Sequence, residues 1–295
     1  MRIGIDIPHS DEHGNVLDVK GIMRRATMVE AAGLDGIWNG DASFFRGSYT
    51  EVDPLMWMLA AAAGTERIEI GLTVYQVPLR EPVDLAQRLM TITQLSRGRF
   101  TCGVGAGSTE QGAFTAVGVP FDDRFRILHE HMARIRRLLK GEADQGAILP
   151  PWPGAISGPR FVLGAWQSPI SLKRAVSEYD GWMSSSGLTN LRVMSEGIKQ
   201  YRDLGGNRAM TTTCRIDLRG PSKTLSHEEP FNLICGPGEA AERLARLAEL
   251  GFDDVCLRFV DHRQGFGFAT PSYSDEDLEE IRSLVPRDAR QPYEP

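Results

Sequence analysis

Thr101-Cys102-Gly103-Val104-Gly105-Ala106-Gly107-Ser108-Thr109 opens as a short apolar run and ends in a glycine–serine cluster. Such a run reads as a strand covered on both faces, the habit of parallel sheets. Outward from it the same unit recurs in both directions. Eight strands are expected, over residues 2–7, 35–39, 67–74, 99–105, 160–165, 181–185, 210–218 and 254–260. Eight helices alternate with them, over residues 18–32, 54–64, 82–95, 122–140, 169–179, 189–204, 238–250 and 274–284. The helix at 122–140 is the plainest, with Phe125, Leu128, Met132, Ile135 and Leu139 at intervals of three and four. Proline opens the helices at 54, 82 and 169, where a missing N–H costs nothing. Gly33, Gly251 and the pair Gly205-Gly206 stand where helices should end. Strand, helix and right-handed crossover, repeated eight times, close into an α/β fold, the (β/α)8 TIM barrel. An open doubly wound sheet is the competing architecture. It would leave two edges, and no segment carries the charges or prolines that guard one.

The chain has 295 residues, a length that suits one barrel domain over 1–285 with a polar, proline-rich tail at 286–295. No apolar stretch approaches the ~20 residues of a membrane span. The start, Met1-Arg2-Ile3-Gly4-Ile5-Asp6-Ile7, is interrupted by Asp6 and reads as the first strand rather than a secretory signal. The net charge of −6, without a basic stripe, argues against a nucleic-acid partner. Cys102, Cys214, Cys235 and Cys256 lack the close spacing of metal or redox pairs, so no metal site is expected. They read as small hydrophobes in a reducing cytoplasm.

Long connections at 8–17, 105–121 and 219–236 follow the first, fourth and seventh strands. They therefore fall at the C-terminal rim, where barrels keep their chemistry. A fourth, at 141–159, follows a helix and belongs at the opposite end. In the loop after the fourth strand, Gly103, Gly105 and Gly107 free the backbone, and Ser108 and Thr109 add hydroxyls. Peptide N–H groups converging there suit a phosphate, although a plain flexible loop reads the same way. A dinucleotide fingerprint fails, because Ser108 replaces its third glycine. After the fifth strand, Gly164-Ala165-Trp166-Gln167-Ser168-Pro169 runs into a helix start, with Ser168 as N-cap. Trp166 either walls a flat ring or packs. Ser185, after the sixth strand, adds a hydroxyl next door and counts among the expected cofactor contacts. Asp41 is the first acid beyond the second strand, either a site residue or a cap for the next segment.

In this order, these stations resemble the bacterial luciferase-like monooxygenase family of flavin- and deazaflavin-dependent barrels. The likeness rests on Ala31-Ala32-Gly33-Leu34-Asp35-Gly36-Ile37-Trp38, on residues 53–80 with Gly71-Leu72-Thr73-Val74, and on Leu163-Gly164-Ala165 with Tyr179-Asp180-Gly181-Trp182. Most specific is Leu95-Ser96-Arg97-Gly98-Arg99-Phe100 through Gly107, then Gly118-Val119-Pro120-Phe121-Asp122-Asp123-Arg124. The resemblance implies a non-prolyl cis peptide at Thr73-Val74, a bulge facing a flavin ring laid across the mouth. It implies a phosphate among Gly105, Ala106, Gly107 and Ser108 and among Gly164, Ala165, Trp166, Gln167 and Ser168. Many members carry an acid–histidine pair after the second strand. Here Asp41 remains, but Ala42 stands in the histidine position. His9 and Tyr75 are the candidate substitutes at the same rim.

The implied activity is a monooxygenase that uses reduced FMN and O2 on a small organic substrate, supplied by a separate flavin reductase, in a homodimer. A hydride-transferring enzyme using the deazaflavin coenzyme F-420 is the alternative. A non-catalytic flavin carrier is the alternative of another class. An unrelated aldolase- or isomerase-type barrel would need a lysine or a paired acid and base at strand ends, and no expected strand ends in lysine. Trp38, Trp166 and Trp182 are expected near the mouth. Arg215 and Arg258 either meet an anionic substrate there or pair with barrel acids. Gly265-Phe266-Gly267-Phe268 reads as an apolar lid or a plain loop.

Overall fold

The computed structural model describes residues 1–11, 13–41, 52–107, 111–260 and 273–286. Eight strands form the ring: β1 (Arg2–Asp6), β2 (Gly36–Asn39), β3 (Glu69–Gln76), β4 (Phe100–Gly105), β5 (Arg160–Gly164), β6 (Gly181–Ser185), β7 (Arg208–Asp217) and β9 (Asp254–Phe259). Neighbours pair in parallel from β1 through β7, then β7 with β9 and β9 with β1, so the sheet closes on itself. This is the TIM barrel the alternation predicts, and closure leaves the ring no exposed edge.

Outside it lie α1 (Val19–Ala31), α2 (Pro54–Ala63), α3 (Pro82–Leu95), α4 (Gln111–Ala116), α5 (Arg124–Leu139), α6 (Pro169–Glu178), α7 (Leu191–Asp203), α8 (Pro237–Leu250) and α9 (Asp275–Ser283). Local chemistry sets their starts. Asp18, Asp53, Ser168 and Asn190 each accept a backbone N–H of the first turn, and Ser274 and Asp277 cap each other reciprocally. The buried face of α5 follows the predicted stripe at Leu128, Met132, Ile135 and Leu139, and α7 buries Leu191, Met194, Ile198 and Tyr201 at the same spacing. Phe125 departs from its stripe and is half exposed.

Two elements fall outside the expected pattern. Helix α4 lies inside the long connection after β4. The three-residue strand β8 (Asn232–Ile234) pairs with the far end of β7 outside the ring. The 141–159 connection enters β5 from its N-terminal end, as expected. Its Asp144 ion-pairs there with Arg134 at 2.7 Å and with Arg137. Among the described residues, no helix is long and apolar enough to cross a membrane. All four cysteines are free and buried.

Candidate functional site

Alternation along the strands sorts the barrel interior into layers. The floor is built from first residues of strands. Glu69 is fully buried and bonds Arg208 at 2.7 and 2.8 Å and Arg2 at 2.7 Å. Asp254 takes the other side of both arginines, at 2.9 and 3.1 Å. Burial alone would raise the Glu69 pKa, but the Arg208 and Arg2 guanidiniums and the Thr101 hydroxyl pull it down to about 2.

Above the floor sits an apolar plug of Trp38, Val162, Met183, Met210 and Cys256. Trp38 needs room that only glycine leaves. A Cβ at Gly4, Gly36 or Gly71 would stand 2.4, 2.9 or 2.1 Å from its indole. Trp38 and Trp182 are both buried, which corrects their expected place at the mouth. Trp182 packs between the barrel and α7, against Tyr201 and Phe252. Of the three, only Trp166 is exposed at the rim, where it lines a cavity of about 270 Å3 with Leu188, Thr189, Val193 and Pro230.

The mouth is organised by β3. Its pairing with β4 slips between Leu72 and Tyr75, and the Thr73–Val74 peptide is cis. Thr73 and Val74 are half-buried. The Val74 isopropyl group packs toward the plug and lies between two neighbouring strands. A Cβ at Gly105 would stand 2.6 Å from it, and one at Gly164 2.4 Å. A Cβ at Gly107, where φ is +97°, would meet Phe114 at 2.7 Å and the Gln76 amide oxygen at 2.8 Å. These glycines therefore have a packing role within the chain itself. Their missing side chains make room for Val74, Gln76 and Phe114. Ala106 is buried, and Ser108 lies outside the described residues.

Asp41 locks the β3 bulge from β2. Its backbone N–H donates to the Val74 carbonyl at 3.2 Å, and its carboxylate accepts the Gln76 N–H at 2.8 Å. The Gln76 side chain donates back to the Asp41 carbonyl at 2.5 Å. Arg80 completes the lock, with 3.0 Å to the second Asp41 carboxylate oxygen and 3.1 Å to the Tyr75 hydroxyl. Burial raises the Asp41 pKa, and Arg80 and the Gln76 N–H oppose that rise. Tyr75, expected to line the mouth, is instead fully buried in the core shared with the helices, and burial raises its pKa as well. His9 lies in the loop after β1, with its ring edge-on to Trp57 at 6.1 Å. The site residues therefore fall into two groups. Asp41, Thr73, Val74, Gly105 and Gly164 come together, while Tyr75 faces the helices. Sequence reasoning missed Gln76 and Arg80. The available signal was the acid itself, because a buried carboxylate calls for a cation, and Arg80 follows β3 at the same rim.

On the β5 side, Ser168 spends its hydroxyl on the Ser171 N–H at 3.1 Å, and the Ala165 carbonyl accepts the Trp182 indole N–H at 3.0 Å. The Gln167 stem packs on α7, 2.3 Å from where a Cβ at Gly197 would stand. Ser185 ends β6 with its hydroxyl 3.4 Å from that of Thr213. Arg258 pairs with Asp6 at the ends of β9 and β1, with 2.7 Å from its Nε, which is the barrel-acid alternative. The segment 265–268 lies outside the described residues.

The closed barrel thus carries at its mouth an apolar ledge, Val74, set between glycines of the two next strands. Residues 1–214 match the family described as luciferase-like monooxygenase, and the chain belongs to that family. It is 38% identical over 109 residues to limonene 1,2-monooxygenase of Rhodococcus erythropolis, a match covering 35% of this chain and 28% of that protein. The chain thus spans less than a third of the length of that relative. It is 33% identical over 272 residues to the F-420-dependent glucose-6-phosphate dehydrogenase of Amycolatopsis mediterranei, covering 82% of this chain and 80% of the relative. The fold matches the oxygenating constituent of 3,6-diketocamphane monooxygenase from Pseudomonas putida, solved in complex with FMN. That match has a TM-score of 0.70 and 14% identity, over 96% of each chain.

Proposed function

We propose that the chain is an oxidoreductase that holds a flavin or deazaflavin across the barrel mouth, with FMN-dependent monooxygenation of a small organic substrate as the first reading. The observation that carries it is the Val74 ledge. It is half-buried, backed by the Trp38 layer, and seated between Gly105 and Gly164, which add no side chains of their own. A planar heterocycle suits such a ledge. Its phosphate suits the peptide groups of Gly105–Gly107 and the start of α6 at Ser168, where helix N–H groups and dipole favour an anion.

The bound group supplies the redox chemistry, and the chain supplies position and exclusion of water. Val74 supports the ring. Asp41 fixes Val74 through the main chain and Gln76, and Arg80 keeps Asp41 in place. Oxidation of a substrate alcohol by hydride transfer would also need a base for the hydroxyl proton. Asp41 has both carboxylate oxygens engaged, and position 42 is alanine. That favours the FMN and O2 chemistry; a separate reductase supplying reduced flavin and a cytoplasmic homodimer complete the proposal. The second reading, hydride transfer with coenzyme F-420, is favoured by the longer match to the F-420-dependent dehydrogenase.

Titration with FMN and coenzyme F-420, each oxidised and reduced, separates the two when read by cofactor absorbance and by quenching of Trp166. Tighter binding of reduced FMN is expected. Binding of the deazaflavin alone overturns the first reading, and uncoupled peroxide with every substrate tried supports a carrier.

A further inference from the structure

Strand β7 carries a second bulge. Its pairing with β9 slips between Thr211 and Cys214, so Thr212 and Thr213 both lie opposite Cys256. Thr213 adopts a φ of +59°, a region a β-branched residue seldom enters. In the ring of eight, β7 stands four strands from β3, so this bulge faces the Val74 ledge across the mouth.

Side chains here are hydroxyls. Ser185 lies two residues beyond the inward Met183, on the same face, and pairs with Thr212. The Thr213 hydroxyl sits 3.4 Å from those of both Ser185 and Thr212, and Thr212 donates to the Ser184 carbonyl at 3.3 Å. These contacts are at the long limit of hydrogen bonding, so they yield readily to a better partner. Ser185 and Thr213 are half-buried rather than sealed. The nearby Gly187 leaves room for the bulge, since a Cβ there would stand 3.0 Å from Thr213. Glycine at 213 would adopt this backbone at no cost, whereas threonine adds a hydroxyl to a strained position.

We propose that Thr213 and Ser185 form the substrate-orienting wall of the mouth and take an uncharged oxygen, a carbonyl or hydroxyl, of the organic substrate opposite Val74. This rests on the cofactor reading of the mouth. The wall itself brings no net charge; farther along the strands Arg215 stands beside Arg258, which is paired with Asp6. A carboxylate or phosphate held by these two hydroxyls would lose water there without gaining a cation from them. A hydroxyl pair can donate to a carbonyl or exchange bonds with an alcohol.

The test uses cyclohexanone and cyclohexanecarboxylate as probes. Each is titrated by ligand-observed NMR against the full chain, with and without FMN or coenzyme F-420. Saturable binding of the ketone is expected, at least tenfold tighter than the carboxylate. Thr213→Val and Ser185→Ala should each weaken the ketone five- to tenfold while leaving cofactor affinity within twofold, and Thr213→Ser should restore it. Thr213→Gly, which relaxes the backbone, guards against a folding artefact and should behave as Thr213→Val does. Unchanged ketone affinity in both hydroxyl-deleted variants, preference for the carboxylate, or no saturable ketone binding overturns the proposal. So does a loss of cofactor affinity in Thr213→Val, which would make the wall a cofactor contact. If neither cofactor binds but the ketone discrimination follows Thr213, the cofactor reading fails and the wall stands.

Discussion

The floor and the mouth of this barrel are built from the same eight strands, about five residues apart, and they solve opposite problems. At the floor, Arg2, Glu69, Arg208 and Asp254 bury their charges against one another. Each group there is satisfied by protein. At the mouth, beside the Asp41–Arg80 and Asp6–Arg258 pairs, the lining carries glycines, Val74 and hydroxyl contacts at the long limit, so more is left open. The Trp38 plug separates the two. Stability concentrates below it and ligand-facing surface above it, as barrels generally divide these tasks.

The sharpest way to break this division is at the floor. Glu69→Gln leaves two buried guanidiniums short of a counter-charge and should cost about 3–5 kcal/mol in denaturant unfolding. Cofactor affinity of the folded fraction should stay unchanged, and a matching loss would show that floor and mouth are coupled. The Glu69 pKa is lowered from 4.5 to about 2, so its contribution is present above the ordinary carboxyl range and lost as pH falls through that window. Unfolding profiles of Glu69→Gln should lack that acid-side slope.

Arg80→Met tests the buried ion pair that holds the β3 bulge at the mouth, and should cost about 3 kcal/mol near neutral pH. Burial already raises the Asp41 pKa, and removing Arg80 raises it further. A raised folded pKa gives stability that is present at low pH and lost as pH rises. The variant should therefore lie closest to the parent at about pH 4 and fall away towards neutrality. Unlike Glu69→Gln, it should also lower cofactor affinity, because Asp41 pins the Val74 bulge.

The smallest effect on stability is expected from Gly164→Ala, at about 1–3 kcal/mol from overpacking. It drives a methyl group into Val74 and should weaken cofactor binding at least tenfold by calorimetry. The double variant Gly164→Ala with Val74→Ala should recover the stability but not the ledge. Full recovery of binding in the double variant would show that Val74 supports nothing.

Most of the fold was legible because the ring strands are covered on both faces and every helix but α4 and α5 has a side-chain cap or a proline at its start. Helix α4 and strand β8 were not, since six and three residues are too short to show a period. Trp38 reads as a mouth residue because sequence alone does not say how far along a strand the barrel stays filled. The answer lies in the bare Gly4, Gly36 and Gly71 on its own strand and its neighbours. The position of the β3 bulge was legible through family likeness. The lock on it was not, because Asp41 and Arg80 are 39 residues apart and meet only once the sheet is closed.

The four thiols have a practical consequence. Each is at most 2% exposed, and burial holds those of Cys102, Cys214 and Cys256 in the protonated, unreactive form. An alkylating reagent can reach Cys102, Cys214 and Cys256, which sit on ring strands, only when the packing of the ring opens. Their labelling rate is therefore a built-in clock for how often this barrel breathes, readable by mass spectrometry without any engineered probe.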